Sequence, residues 1–126
     1  MATQLGIVER VRFVGAVAHS EIPKWINAGD VLLLTSRNEG VPNVLLEAKA
    51  CGVPVVSAKV GGVAEVVADR TDGFLLEQRE PQALAQGIVW VLDRDWDRNQ
   101  LRERSLRFSW SNNSQATVQA LSAVLS

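Results

Sequence analysis

Four short runs, near residues 11–14, 31–35, 53–57 and 74–76, are apolar at most successive positions, and helical patterns separate them. A strand with one wet face alternates apolar and polar residues. A run that is apolar throughout belongs to a strand covered on its faces, as in parallel sheets. Val31-Leu32-Leu33-Leu34 and the run from Val53 to Ser57 show this most clearly, whereas Arg12 weakens the first run. Helical stretches near 20–27, 42–50 and 62–68 lie between the runs. That rhythm predicts parallel strands joined by right-handed crossovers. Beyond residue 80 the strand pattern stops, and residues 81–92, about 97–107 and about 111–125 carry helical spacing alone. Pro81 is a good helix opener, and Leu84, Ile88, Trp90 and Val91 fall on one helical face. The expected architecture is α/β: one partial Rossmann-like, three-layer domain over 1–126, with about four parallel strands and helices over 81–125.

Composition narrows the function classes. The chain has 126 residues, 47% of them hydrophobic and 21% charged, which suits one globular domain and not a disordered segment. A net charge of −1 offers no basic excess for nucleic acid or an acidic membrane. No apolar stretch approaches the roughly 18 residues of a membrane span. One cysteine and one histidine form neither a disulfide framework nor a metal ligand set. With no signal-peptide pattern at the N-terminus, the expected location is a reducing cytoplasm.

The chemistry concentrates in Glu39-Gly40-Val41-Pro42-Asn43 and the stretch that follows through Pro54. Gly40 lets backbone amides approach a ligand, and Pro42 opens a helix at no cost in hydrogen bonds. The amides of a helix start, with the positive end of its dipole, favour an anion. Two carboxylates, Glu39 and Glu47, flank that start and would repel a bare phosphate. They fit a phosphate flanked by hydroxyl-rich groups, because carboxylates accept hydrogen bonds from sugar hydroxyls. A nucleotide sugar has that layout.

The string from Glu39 through Val56 resembles the E-x7-E segment of the retaining nucleotide-sugar glycosyltransferases of family 4, which have the GT-B fold. Val11-Arg12-Phe13-Val14-Gly15 and Ala28-Gly29-Asp30-Val31 resemble the family's preceding strand and helix end. Val60-Gly61-Gly62-Val63-Ala64-Glu65-Val66-Val67, Asp72-Gly73-Phe74-Leu75-Leu76 and Phe108-Ser109-Trp110 resemble its following loop, strand and final helix. The resemblance implies that Glu47 holds the ribose hydroxyls of the donor and that Glu39 is the catalytic carboxylate orienting the donor sugar. Amides of Gly40, Val41 and Asn43 would receive the diphosphate and sugar, and Gly15 would flank the nucleobase. Asn43 has a competing role as a helix-start residue satisfying its own backbone. Gly61-Gly62 reads equally as a second donor loop or as a turn that needs positive φ. His19 is read as a local hydrogen-bonding residue and not as a catalyst. Trp25, Trp90, Trp96 and Trp110 are read as helix anchors. No metal or other cofactor is expected.

By the same resemblance, the family's first C-terminal strands, its diphosphate-binding Arg and Lys and its acceptor-binding domain are not within residues 1–126. The isolated chain is therefore expected to bind a nucleotide sugar without transferring it. Without the strands that separate the first two runs, Val11–Val14 must either pair directly with Val31–Leu34 or leave unpaired strand edges, and a homo-oligomer, dimeric or strand-swapped, is predicted. One sheet face would also need cover, from the C-terminal helices or from a second copy. A separate polypeptide carrying the other half is an alternative partner. The alternative function is a non-catalytic, self-associating module that kept the fold and lost the chemistry.

Overall fold

A computed structural model describes residues 1–125. Three strands, β1 (Leu32–Leu34), β2 (Val55–Ala58) and β3 (Gly73–Leu76), form one parallel sheet in the order β1-β2-β3. Leu33 lies opposite Val56, and Val56 opposite Phe74. The helices are α1 (Ile22–Asn27), α2 (Asn43–Ala50), α3 (Val63–Val66), α4 (Pro81–Leu92), α5 (Arg98–Ser105) and α6 (Trp110–Leu125). Short 3₁₀ turns occupy Val8–Arg10, His19–Glu21 and Leu106–Phe108.

Alternate residues of a strand face opposite sides, and β2 uses both. Val55 joins Leu45 and Ala48 of α2, Val63 and Val66 of α3, and Leu75 in one core. Val56 joins Leu76 and Val91 in a second core, with Leu84, Ile88 and Trp90 of α4 packed against it. Thus α2 and α3 cover one face and α4 the other, so the C-terminal half of the chain supplies the second layer. Gly87 allows α4 to lie close, since a Cβ there would sit 3.1 Å from both Phe74 and Val56 side chains. Trp90 and Trp96 anchor the helices as expected: Phe74, Trp90 and Trp96 stack edge to face, and Trp96 Nε1 donates to Val91 O at 2.8 Å. Asp97 caps α5 by accepting from the Asn99 and Gln100 amides at 2.9 and 3.1 Å.

Residues 11–14 do not form the expected first strand. Val11 has extended dihedrals, φ −115° and ψ 121°, yet no ladder reaches it and Phe13 is 90% exposed. The apolar pattern reports a local preference for extended backbone, while a strand also needs a neighbour to pair its N–H and C=O groups. β1 pairs with β2 on one edge, and its other edge is open among the described residues.

A buried ion pair ties the layers on the α2 side. Lys49, fully buried, donates to Asp72 Oδ2 at 2.6 Å and to Val66 O at 2.8 Å. The same Asp72 oxygen accepts from Ala68 N at 2.9 Å. Arg104 of α5 donates to Thr71 O at 2.8 Å and sits 3.4 Å from Asp72 Oδ1. Four segments therefore meet at one node.

Leu45 is fully buried between α2 and the sheet. Leu45→Ala is expected to lower unfolding free energy by about 2–5 kcal/mol, because both the apolar burial and the packing around the cavity are lost. Urea denaturation followed by far-ultraviolet circular dichroism measures it, and a loss under about 1 kcal/mol would mean that the α2 layer is not packed as described.

Candidate functional site

Residues 35–42 leave the C-terminal end of β1 and enter α2. In open α/β sheets ligands sit outside that end of the strands. Glu39 is half-buried, Gly40 is exposed and Val41 is 49% exposed. Pro42 is buried at the N-cap position with φ −75° and ψ 112°, so Asn43 becomes the first helical residue. No side chain caps α2. Asn43 thus does not satisfy its own helix start; its side chain is exposed and makes no hydrogen bond among the described residues. Within the first turn Leu45 N donates to Pro42 O at 3.1 Å, which leaves the Asn43 and Val44 amides and the positive end of the helix for another acceptor. Glu47 lies four residues on, over the same helical face as Asn43. It is half-buried, and neither its carboxylate nor that of Glu39 has a hydrogen-bond or ion-pair partner among the described residues.

The loop is held from below by main chain. Gly62 N donates to Gly40 O at 2.9 Å. Gly61 adopts φ +51°, and a Cβ built there would collide with the Glu39 carbonyl oxygen. Gly61 and Gly62 are therefore a turn, with positive φ at Gly61 alone, that also carries the 39–41 backbone by direct contact.

Two grooves border this segment. Glu47 lines an apolar one of about 300 Å³ with Leu46, Ala50, Leu106 and Phe108. Thr35 and Arg37 line a polar one of about 810 Å³ with residues 77–81 and Leu84. Arg37, whose guanidinium has no partner among the described residues, was not singled out by the sequence reading. A cation two residues before Glu39 was the available signal. Lys49 was also missed, although its place four residues after Leu45 puts it on the buried stripe.

Gly15 is not brought to the loop by any described hydrogen bond. It lies in the unpaired stretch 11–18 at φ +75°, with nothing within 4 Å of a Cβ placed on it. His19 is exposed and its side chain makes no hydrogen bond among the described residues; its carbonyl oxygen accepts from Ile22 N. Among the described residues no three of His, Cys, Asp or Glu are grouped to hold a metal ion. No described helix is long and apolar enough to cross a membrane.

Residues 1–108 match the family described as glycosyl transferases group 1. The chain belongs to that family. It is 37% identical over 127 aligned positions to D-inositol 3-phosphate glycosyltransferase 2 of Catenulispora acidiphila, a match that covers 97% of this chain and 30% of that protein. It is 45% identical over 90 positions to the Vi polysaccharide biosynthesis protein VipC/TviE of Salmonella typhi, covering 71% of this chain and 15% of that one. Among solved structures, HepE of Anabaena in complex with UDP superposes with a TM-score of 0.86 at 33% identity, over 97% of this chain and 35% of that chain. The C-terminal domain of the glycosyl transferase LpcC from Francisella tularensis gives 0.65 at 28% identity, over 82% and 52%. The chain therefore has the mixed α/β architecture of GT-B neighbours, and it spans about a third of the length of these relatives.

The loop's dependence on Gly61 is directly testable. Gly61→Ala is expected to displace residues 39–41 and to cost about 1–3 kcal/mol, from positive φ together with the clash. Backbone amide shifts of Glu39, Gly40 and Val41 check the first and urea titration the second. Unchanged shifts would remove the glycine pair as the loop's support.

Proposed function

We propose that this chain is the nucleotide-sugar-binding half of a retaining glycosyltransferase, and that residues 39–47 form its donor site. The observation that carries the reading is the pairing of an uncapped helix start with two carboxylates that have no partner among the described residues, at the C-terminal end of a parallel strand. The likeness to HepE, whose structures hold UDP and, separately, UDP with glucose, supports a nucleoside diphosphate sugar as ligand.

In this scheme Glu47 accepts hydrogen bonds from the ribose hydroxyls and Glu39 orients the donor sugar. The amides of Gly40, Val41 and Asn43 face the charge that develops on the diphosphate as the sugar departs. Donors fixed in place before that charge appears stabilise it at little reorganisation cost. Gly15 would reach the nucleobase only if residues 11–18 fold toward the loop when ligand binds. No metal takes part in the scheme. The stretch that carries the diphosphate-binding Arg and Lys in the family, and the acceptor domain, are not within residues 1–126. Binding without transfer is therefore assigned to this chain alone. A reducing cytoplasm suits the free thiol of Cys51.

Titration of the isotopically labelled chain with UDP, GDP and ADP tests the reading. Saturable amide shifts at residues 40–47 are expected, with no sugar transfer from UDP-glucose. Charge-assisted hydrogen bonds contribute about 1.5–3 kcal/mol, so Glu47→Ala should weaken binding roughly 10- to 100-fold. A folded chain showing no shifts at millimolar nucleotide would refute the donor assignment.

A second reading, a self-associating module without chemistry, is favoured by one separate observation. Among the described residues the outer edge of β1 is open and the stretch 11–14 joins no strand, with Leu33 43% and Phe13 90% exposed. Open edges and bare apolar segments promote pairing between chains. Light scattering at low micromolar concentration should then give a dimer mass; a monomer would remove this reading.

A further inference from the structure

Lys49 has no role in the donor scheme, yet it is fully buried and held by two short hydrogen bonds. Burying a lysine and an aspartate together seldom adds stability over an apolar pair of the same volume, because both charges lose their water. What such a pair supplies is geometry. Lys49 Nζ lies 2.6 Å from Asp72 and 2.8 Å from Val66 O, so the inner face of α2 is fastened to the end of α3 and to the turn that enters β3. An apolar contact is non-directional, whereas two bonds on one ammonium each favour a single orientation of α2.

The fastening reaches the donor side by a short path. Lys49 lies 5.5 Å from the centroid of the Phe108 ring. Phe108 also lines the groove that contains Glu47. Glu47 and Lys49 are two residues apart and project to opposite sides of α2, so rotation that frees Lys49 must swing Glu47.

We infer that Lys49, through its ion pair with Asp72, is a positioning residue of the donor site that sets the rotation of α2 and so aims Glu47 at the bound nucleotide. The inference rests on the donor reading above.

The test is a cycle of UDP affinities measured by amide shifts on the full chain. Lys49→Met removes the ammonium, and Lys49→Met/Asp72→Asn removes both charges in case the single variant fails to fold. Circular dichroism and urea titration identify the folded variant. Contacting groups in one network couple strongly, so the folded variant should bind UDP roughly tenfold more weakly than the parent chain. In a Glu47→Ala background the same change should have little further effect, because Glu47 is the group being aimed. A purely structural lysine would alter the unfolding midpoint and leave UDP affinity alone, which would overturn the inference. An undiminished tenfold loss in the Glu47→Ala background would overturn it too, since the action would not pass through Glu47. If the parent chain itself binds no UDP, the donor reading fails and this inference falls with it; parent binding with no change in the variant sinks the inference alone.

Discussion

β2 has a neighbour on each edge and helices over each face, and all four of its residues are buried. Everything else is arranged about that burial. Because Val55 and Val56 point to opposite cores, the strand cannot shift register by one residue without exchanging the surfaces that α2, α3 and α4 cover. A fixed register fixes the C-terminal ends of the flanking strands, and from β1 the chain must enter α2 through residues 35–42. The position of the candidate site is thus a consequence of core packing two layers away.

Charge enters this apolar frame at one place. The Lys49–Asp72 pair sits inside the α2 layer, where Ala68 N and Arg104 complete its hydrogen bonding. Removing one partner would leave the other buried and poorly solvated, so the pair acts as a constraint more than as a source of stability. The candidate site shows the reverse pattern. Glu39, Glu47 and Asn43 are aimed outward with no internal partners among the described residues.

Much of this was legible in the sequence because the signals were local. Uniformly apolar runs marked β1, β2 and β3, and the helix spacing marked α1 through α6. Residues 39–47 were legible because glycine, proline and paired carboxylates occur there in a tight order. The failure at 11–14 has a specific physical source: extended preference belongs to the residues themselves, whereas pairing depends on what lies alongside. Arg37 and Lys49 were missed for related reasons. A lysine within a helix ordinarily faces water, and only the tertiary arrangement of Asp72 and Val66 O makes its burial tenable. Asn43 looked like a cap, yet Pro42 takes that position and leaves Asn43 inside the helix.

The contact between Gly62 N and Gly40 O joins main chain to main chain. Such a support is indifferent to the identity of the side chains it carries. Residues 39, 41 and 43 can therefore be exchanged while the path of the loop persists, so that the side chains presented there are free to diverge over generations while the place that presents them remains inherited.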